Sequence, residues 1–372
     1  MKFSMPRETL LKPLQSVIGV VERRQTMPIL SNVLLAIIAN QLSMTCTDLE
    51  IELVASGGLD SVSNESGIIT VPARKLLDIC RVLPDDAQID CYQDNDNCVI
   101  VRSGRSRFVL ATLAADNFPN IEWDAQNNVI EFATPQDQLR ALIESTRFAM
   151  AEQDVRYYLN GLLLEIKDSM LWVVAADGHR MALNAMPSTV VNDSILRFIM
   201  PRKGVIELMR VLEDSDDEVK VAISDNHIRV IRPGLIFTCK LIDGKFPDYE
   251  RTIPRGGDKE IIIERDIFRQ ALSRVAILSN DMFCGVQLQI RPGSLNMLTR
   301  NQEREEAEEE IAIDYQGEEM TIGFNVNYLL DILASVATEK IIMTLKDNTS
   351  SVLIEEYGKQ GNNLYVVMPL RL

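Results

Sequence analysis

The stretch Val71-Pro72-Ala73-Arg74-Lys75-Leu76-Leu77-Asp78-Ile79-Cys80-Arg81-Val82-Leu83 is written again, with changes, at Met200-Pro201-Arg202-Lys203-Gly204-Val205-Ile206-Glu207-Leu208-Met209-Arg210-Val211-Leu212. Each copy leads through three runs of alternating apolar residues to a Phe-Pro pair, Phe118-Pro119 in the first and Phe246-Pro247 in the second. A weaker third copy starts at Phe324-Asn325-Val326-Asn327-Tyr328-Leu329-Leu330-Asp331-Ile332-Leu333. An internal repeat of this length sets the architecture before any motif is weighed. Three units share 372 residues, about 124 each, an ordinary domain size. The expected boundaries are 1–125, 126–253 and 254–372.

Each unit divides again. Helical periodicity is read at 7–20, 73–83, 136–149, 202–212, 264–278 and 325–336, so helix starts recur every 61 to 66 residues. Between the helices lie short alternating runs such as 87–93, 98–103 and 107–113, joined by turn-forming residues such as Asp94-Asn95-Asp96-Asn97 and Ser224-Asp225-Asn226. A half-unit therefore reads as strand, helix, three strands. Pro6, Pro72, Pro135 and Pro201 stand where helices begin, and there a missing N–H costs nothing. One helix per half-unit covers one face of an antiparallel sheet, which is an α+β class. Segments 114–127 and 244–258 carry Pro, Gly, Asp and Asn and read as linkers.

The chain carries 38 Lys and Arg against 54 Asp and Glu, a net charge of −16. Such a chain is expected to avoid nucleic acid and anionic membranes. Its distribution reverses that expectation. The six helical windows hold 13 basic and 8 acidic residues, a net of +5, which leaves −21 to everything else. Surface helices favour Lys and Arg for propensity alone. The recurrence of Arg74, Lys75 and Arg81 against Lys203 and Arg210 argues for more: a shared track for phosphates. Helices packed ~9 Å apart close a six-membered circle only ~17 Å across. Twelve, with a helix radius of ~5 Å removed from each side, leave a hole of ~24 Å. A duplex needs ~20 Å. Should the helices line a hole, two chains are required.

The six cysteines, at 46, 80, 91, 98, 239 and 284, include no C-x-x-C pair and read as buried thiols in a reducing compartment. No metal set, no cofactor motif and no apolar leader or 18-residue apolar run is present in the sequence, so a cytoplasmic protein is expected.

In order and spacing, a series of motifs resembles the beta sliding clamps of bacterial DNA polymerase III over essentially the whole chain. They are Lys12-Pro13-Leu14, Met27-Pro28-Ile29-Leu30, Thr47-Asp48-Leu49-Glu50, Val71-Pro72-Ala73-Arg74-Lys75, Gly104-Arg105-Ser106-Arg107-Phe108 and 153–161 (QDVRYYLNG). Further on come Asp177-Gly178-His179-Arg180, Phe246-Pro247-Asp248-Tyr249, Gly323-Phe324-Asn325-Val326 and Tyr365-Val366-Val367-Met368-Pro369. The resemblance implies three DNA-clamp domains per chain and a head-to-tail homodimeric ring, with helices lining the bore and antiparallel sheets outside. Such a ring would encircle double-stranded DNA without base readout. It would tether DNA polymerase subunits, an ATP-dependent clamp loader and repair proteins through a short Leu/Phe-anchored peptide, with no catalysis and no membrane partner.

It also implies a partner-peptide pocket from Tyr158, Leu159, Gly178, His179, Arg180, Met181, Pro247, Arg251, Asn325, Tyr328, Ser351, Val366, Val367, Met368, Pro369, Leu370 and Arg371. Apolar and Met side chains suit varied anchors. Ala176, Thr252 and Leu370 depart from the residues common in relatives and should alter the pocket's shape. The implied DNA-facing residues are Arg24, Arg74, Gln153, Tyr157, Tyr158, Arg202 and Lys203. The implied dimer interface sets Lys75, Arg105, Arg107 and Phe108 of one copy against Ile277, Leu278, Glu305 and Glu309 of another. Lys75 stays open between DNA and the neighbouring subunit.

Two other readings compete. Asp177 and His179 could serve an enzyme. However, with only two histidines in the chain and no G-x-S-x-G or H-E-x-x-H motif, a tight turn at Gly178 is the better account. A repeat-built protein–protein scaffold without DNA binding would also fit the net charge.

Overall fold

The computed structural model describes all residues except 23–26, 39, 60–64, 96–97, 124–128, 191–193, 280–283, 360, 362 and 372. The first repeat runs β1 (Lys2–Pro6), α1 (Arg7–Val17), β2 (Asn32–Ile38), β3 (Gln41–Thr47), β4 (Ile51–Gly58), β5 (Gly67–Pro72), α2 (Ala73–Val82), β6 (Gln88–Asn95), β7 (Cys98–Ser103) and β8 (Ser106–Ala111). The second runs β9 (Ile130–Pro135), α3 (Gln136–Glu144), β10 (Gly161–Lys167), β11 (Met170–Ala176), β12 (Arg180–Pro187), β13 (Leu196–Pro201), α4 (Arg202–Val211), β14 (Glu218–Ile223), β15 (His227–Arg232) and β16 (Leu235–Lys240). The third runs β17 (Lys259–Glu264), α5 (Arg265–Val275), β18 (Gly285–Arg291), β19 (Ser294–Arg300), β20 (Glu306–Ala312), β21 (Met320–Asn325), α6 (Val326–Ser335), β22 (Lys340–Leu345), β23 (Val352–Glu356) and β24 (Leu364–Val367).

All six helices fall inside the windows read from the sequence, and 3-10 turns at Ile18–Val20, Arg147–Ala149 and Ala276–Leu278 complete three of them. Each helix follows directly on a strand. The first helical N–H finds a carbonyl from a distant loop: Arg7 to Ala87 (2.8 Å), Gln136 to Asp217 (3.0 Å), Arg202 to Asn160 (2.9 Å), Arg265 to Glu339 (2.8 Å) and Val326 to Cys284 (2.7 Å). These carbonyls do the work that a capping side chain does elsewhere. Apolar spacing sets the buried face. In α2, Ala73, Leu76, Leu77 and Cys80 are buried while Arg74, Lys75, Asp78 and Arg81 are exposed.

Packing groups the chain into two units, Met1–Asp137 with Ile206–Leu241, and Gln138–Val205 with Ile242–Leu372. Sheet continuity explains the grouping. In the first unit, β5-β2-β3-β4 continues into β16-β15-β14-β9, and a separate sheet has the order β1-β6-β7-β8. In the second, β13-β10-β11-β12 continues into β24-β23-β22-β17, and a separate sheet has the order β20-β19-β18-β21. The two splices are antiparallel: β4 on β16 with Ile51 opposite Cys239, and β12 on β24 with Arg180 opposite Val367. Among the described residues the sheets end at β1 and β8, β5 and β9, β13 and β17, and β20 and β21, and of these only β8 and β20 do not lead into a helix.

Two sequence expectations need correction. Arg7 is not part of an exposed basic track. It is 8% exposed, and its guanidinium donates to the carbonyls of Cys80 (2.6 Å) and Arg81 (3.3 Å) and pairs with Asp85 (2.7 Å), tying α1 to the end of α2. The thiols are free, but only Cys46, Cys80, Cys91 and Cys239 are buried, and Cys98 and Cys284 are partly exposed. Burial pushes the Cys80 thiol up to about 11 and the Cys91 thiol up to about 12.

Candidate functional site

An apolar cavity of about 440 Å³ opens in the second unit, a volume typical of ligand pockets. Five segments build it: the loop 156–159, the β11–β12 turn with its flanks, the linker 246–252, Ser351 ahead of β23, and the end of β24 with Met368. Its floor is the exposed rim of a buried cluster that includes Leu159, Met181, Phe246, Tyr249 and Val366.

The turn is held by its own carboxylate. Asp177 Oδ1 accepts the backbone N–H groups of His179 (2.8 Å) and Arg180 (3.0 Å), and Oδ2 accepts Arg180 Nε (3.0 Å). Both oxygens are therefore spent on structure. His179 stacks on Tyr328, with ring centroids 6.5 Å apart. No acid–base pair forms between Asp177 and His179, and the turn reading is the one the geometry supports. Gly178 sits at φ +91, where L side chains are strained. A Cβ there would also lie 2.8 Å from the Arg156 guanidinium. Arg156 in turn pairs with Asp154 (2.7 Å) and holds that carboxyl down to about 2.

Arg180 fastens the turn to three other places. It donates to Asp331 on α6 (2.5 Å) and to the Phe148 carbonyl (2.9 Å), and it lies 4.4 Å from the Tyr328 ring centroid. Its charge is thus consumed inside the protein. The β24 tail then continues the wall, with Met368 N–H donating to His179 O (2.8 Å).

Beneath the linker lies a buried polar chain. Tyr249 Oη donates to Glu165 (2.7 Å), whose other oxygen takes Arg197 Nε. Glu165 is fully buried, and burial followed by the Glu165 hydrogen bond pushes the Tyr249 hydroxyl well above its usual range. Thr252 Oγ1 donates to the Tyr249 carbonyl (2.7 Å) and meets Met181 Sδ at 3.4 Å. The linker backbone is therefore pinned to the pocket floor.

Of the residues expected in the pocket, Leu159, Gly178, His179, Arg180, Met181, Pro247, Arg251, Ser351, Val366 and Met368 line one cavity. Val367 does not, because strand alternation turns it away from the neighbouring Val366 and buries it completely. Tyr158 packs against the side of the cluster. Asn325 caps α6 through the Asn327 N–H (2.9 Å), and Tyr328 lies behind Arg180. Leu370 is drawn away by its hydrogen bond to Gly323 O (2.8 Å), and Pro369 and Arg371 flank it outside the cavity lining. Ala176 and Thr252, expected to alter the pocket's shape, line the cavity, and so do Arg156, Phe246 and Tyr249, which were not among the expected residues. The repeated Phe-Pro pair was the available signal for Phe246 and Tyr249.

The DNA-facing candidates differ in their local surroundings. Arg24 lies outside the described residues. Arg74 donates to the Val21 carbonyl, and Arg202 donates to the Met150 carbonyl (3.1 Å) with Glu152 at 3.9 Å. Lys203 is half-buried. Gln153, at φ +56, and Tyr157, 55% exposed, stand on one loop with Tyr158. Asn160 closes that loop by bonding both the N–H and the carbonyl of Asp154 (2.9 and 2.8 Å).

The interface candidates sit at β8 and β20, the two sheet-end strands that do not lead into a helix. On the β8 edge, Arg105 and Arg107 are exposed and Phe108 half-buried, and Lys75 is exposed on α2. Beside β20, Ile277 is 78% exposed, Leu278 half-buried and Glu305 exposed. Glu309 is already held within the chain by Arg274 (2.6 and 3.2 Å). Among the described residues no group of three His, Cys, Asp or Glu side chains is arranged to hold a metal, and no helix is long and apolar enough to cross a membrane.

Three family matches tile the sequence: DNA polymerase III beta subunit, N-terminal domain, over residues 1–122; central domain, over 133–248; and C-terminal domain, over 250–371. The beta sliding clamp of Pseudomonas putida is 50% identical over 372 residues, with both chains fully covered. The crystal structure of the DNA polymerase III subunit beta from Pseudomonas aeruginosa matches with a TM-score of 0.96 and 49% identity over 100% of each chain. A Pseudomonas aeruginosa sliding clamp bound to griselimycin matches at a TM-score of 0.95, with 49% identity and the same full coverage.

Proposed function

The chain belongs to the beta sliding clamps, the non-catalytic processivity factors of DNA polymerase III, and from that membership we propose a ring of two copies closed around duplex DNA. The observation that carries the proposal is the pair of far half-sheet ends, β8 and β20, that neither splice uses. In each of the six half-sheets the strand farthest from the helix-leading strand is β4, β8, β12, β16, β20 or β24. Four of these are consumed by the two splices, and β8 and β20 remain. An open edge of this kind seeks a partner. A β8-to-β20 contact between copies repeats the splice and closes head to tail.

The splice register can be carried over. Ser103 pairs with Ser106 as Arg232 pairs with Leu235, and Arg300 pairs with Glu306 as Thr47 pairs with Glu52. Copying the β4–β16 register sets Phe108 against Ala307, Arg107 against Glu308 and Ser106 against Glu309 of the other copy. The apolar contact of Phe108 with Ile277 and Leu278 supplies the affinity, and the charges set register.

The three repeats are then taken as domains bounded near 125 and 253, in a cytoplasmic protein. Duplex DNA is held through phosphates, weakly and with strong salt dependence. Polymerases, loader and repair proteins dock an apolar-anchored peptide in the 440 Å³ cavity. Sedimentation or light scattering should give twice 41.9 kDa. Phe108→Ala should weaken the dimer by roughly 30-fold, the worth of an interface anchor. Loaded protein should stay on closed circular DNA and run off once the circle is cut. Equal loss from both substrates would overturn the ring.

A further inference from the structure

A second depression lies beside the apolar cavity and differs from it in chemistry. It is an open cleft of about 750 Å³ between residues 248–255 and 349–351. It shares Arg251, Thr252 and Ser351 with the apolar cavity, so the two are continuous.

The charges of this cleft are mostly cancelled within the protein. Asp248 is paired with Arg251 at 2.8 Å, and Glu250 with Lys167 at 2.8 Å. The Lys167 hydrogen bond is the main reason the Glu250 carboxyl sits below its usual range, and Arg255 contributes a smaller field from farther off. Asp347, next to the cleft, takes the N–H and hydroxyl groups of both Thr349 and Ser350 at 2.7 to 2.9 Å. Those two hydroxyls are therefore occupied as donors. Thr252 Oγ1 is occupied by the Tyr249 carbonyl. Arg255 remains exposed, and no described carboxylate forms an ion pair with it. The cleft thus keeps one positive charge, Arg255, without an ion-pair partner among the described residues, on a residue that lines the cleft but not the apolar cavity.

We infer that this cleft is a second subsite for the partner peptide, and that Arg255 selects an acidic residue in the stretch flanking the apolar anchors. The inference rests on the reading that the apolar cavity takes those anchors. An anchor-only peptide fills the cavity, while a peptide with an Asp or Glu a few positions away also engages Arg255. Charge at this rim adds discrimination among partners that share the same anchors.

Synthetic peptides carrying one Leu and one Phe anchor, flanked on both sides by Asp-Asp, Ala-Ala or Lys-Lys, test it against the full-length protein. The Asp-flanked peptide should bind about threefold tighter than the Ala-flanked one, the effect of an exposed ion pair. The gain should vanish near ~0.5 M salt, where screening extends over only a few ångströms. Arg255→Glu should reverse the order, favouring Lys flanks, while the Ala-flanked peptide binds as before. Arg291→Glu, an equal charge change on β18, should leave the order as in the wild type. An unchanged flank preference in Arg255→Glu, or none in the wild type, overturns the inference while leaving the pocket intact. Failure of all three peptides to bind the wild type overturns the pocket reading itself, and this inference with it.

Discussion

The two sheet splices share one backbone plan and carry opposite chemistry. At β12–β24, Met181, Val366 and Leu353 lie side by side across three strands and form the floor of an open cavity. At β4–β16 the same three positions hold Glu52, Thr238 and Arg229. There the floor is covered by the chain's own linker. Glu52 accepts the Ile121 N–H (3.0 Å), Arg229 donates to Thr238 (3.0 Å), and Trp123 lies over Arg229 at 4.4 Å. Counting from the repeated Phe-Pro pair, Trp123 corresponds to Arg251, whose side chain is 86% exposed and leaves its floor uncovered. A polar floor holds its own linker by hydrogen bonds. At the apolar floor the linker is held at the side, through Tyr249 and Thr252, and no residue covers the floor as Trp123 covers the other.

The largest break in this contrast should come from putting the polar residue into the open floor. Met181→Glu would set a carboxylate among Leu159, Val366 and Tyr249 without the N–H that Glu52 finds. An unpaired buried charge costs on the order of 3 kcal/mol. Binding of a Leu/Phe-anchored peptide should fall more than ~100-fold, measured by fluorescence anisotropy. A dimer that still forms and a peptide that still binds within tenfold would show that the floor does not decide occupancy.

The next effect is conformational. Gly178 at φ +91 and Leu49 at φ +80 occupy equivalent turn positions, one permissive and one strained. Gly178→Ala meets both the left-handed penalty and the Arg156 guanidinium. It should lower thermal stability by about 1–2 kcal/mol and weaken peptide binding with it. Leu49→Gly should do the reverse in the first unit, gaining up to ~1 kcal/mol and leaving peptide affinity unchanged.

Below that comes the support under the linker. Tyr249→Phe removes one buried hydrogen bond and leaves Glu165 with Arg197 alone. The expected loss is about 1–2 kcal/mol of stability. If the bond also positions the linker, peptide affinity should drop several-fold at temperatures well below Tm. A lowered Tm with unchanged affinity would reduce Tyr249 to a structural role.

Much of this architecture was legible because helices with period-3.6 apolar faces, four of the six with a proline at the start, repeat at near-constant spacing. The helix windows needed only local pattern. The splices were not legible, because β4–β16 and β12–β24 join segments about 180 residues apart, and no local signal specifies which edges meet. The same limit hid Arg156 and the contacts of Tyr249, whose segment the repeated Phe-Pro pair marks. Their role depends on Glu165 and Gly178, which reach them only through the fold. Charge counting misled for Arg7, because an arginine that donates to a helix's last carbonyls looks in sequence like one that faces solvent.

The smallest predicted effect concerns Glu52, which makes the closed splice closed. Burial raises its pKa above the ordinary 4.5, opposed by the Ile121 N–H and by Arg229. At neutral pH the carboxylate is ionised in both folded and unfolded chains, and the folded state bears the desolvation cost. As pH falls from 7 toward 4.5, the folded protein takes up the proton first, so this group alone should favour folding increasingly over that window. Glu52→Gln keeps an acceptor for Ile121 N–H and has no such titration. The variant should match or slightly exceed the wild type in Tm at pH 7, and the difference should shrink or invert by pH 5. A wild type that instead loses ground to the variant on acidification would mean the hydrogen bond to Ile121 and the field of Arg229 outweigh burial. The ionised carboxylate would then be the form that holds the linker shut.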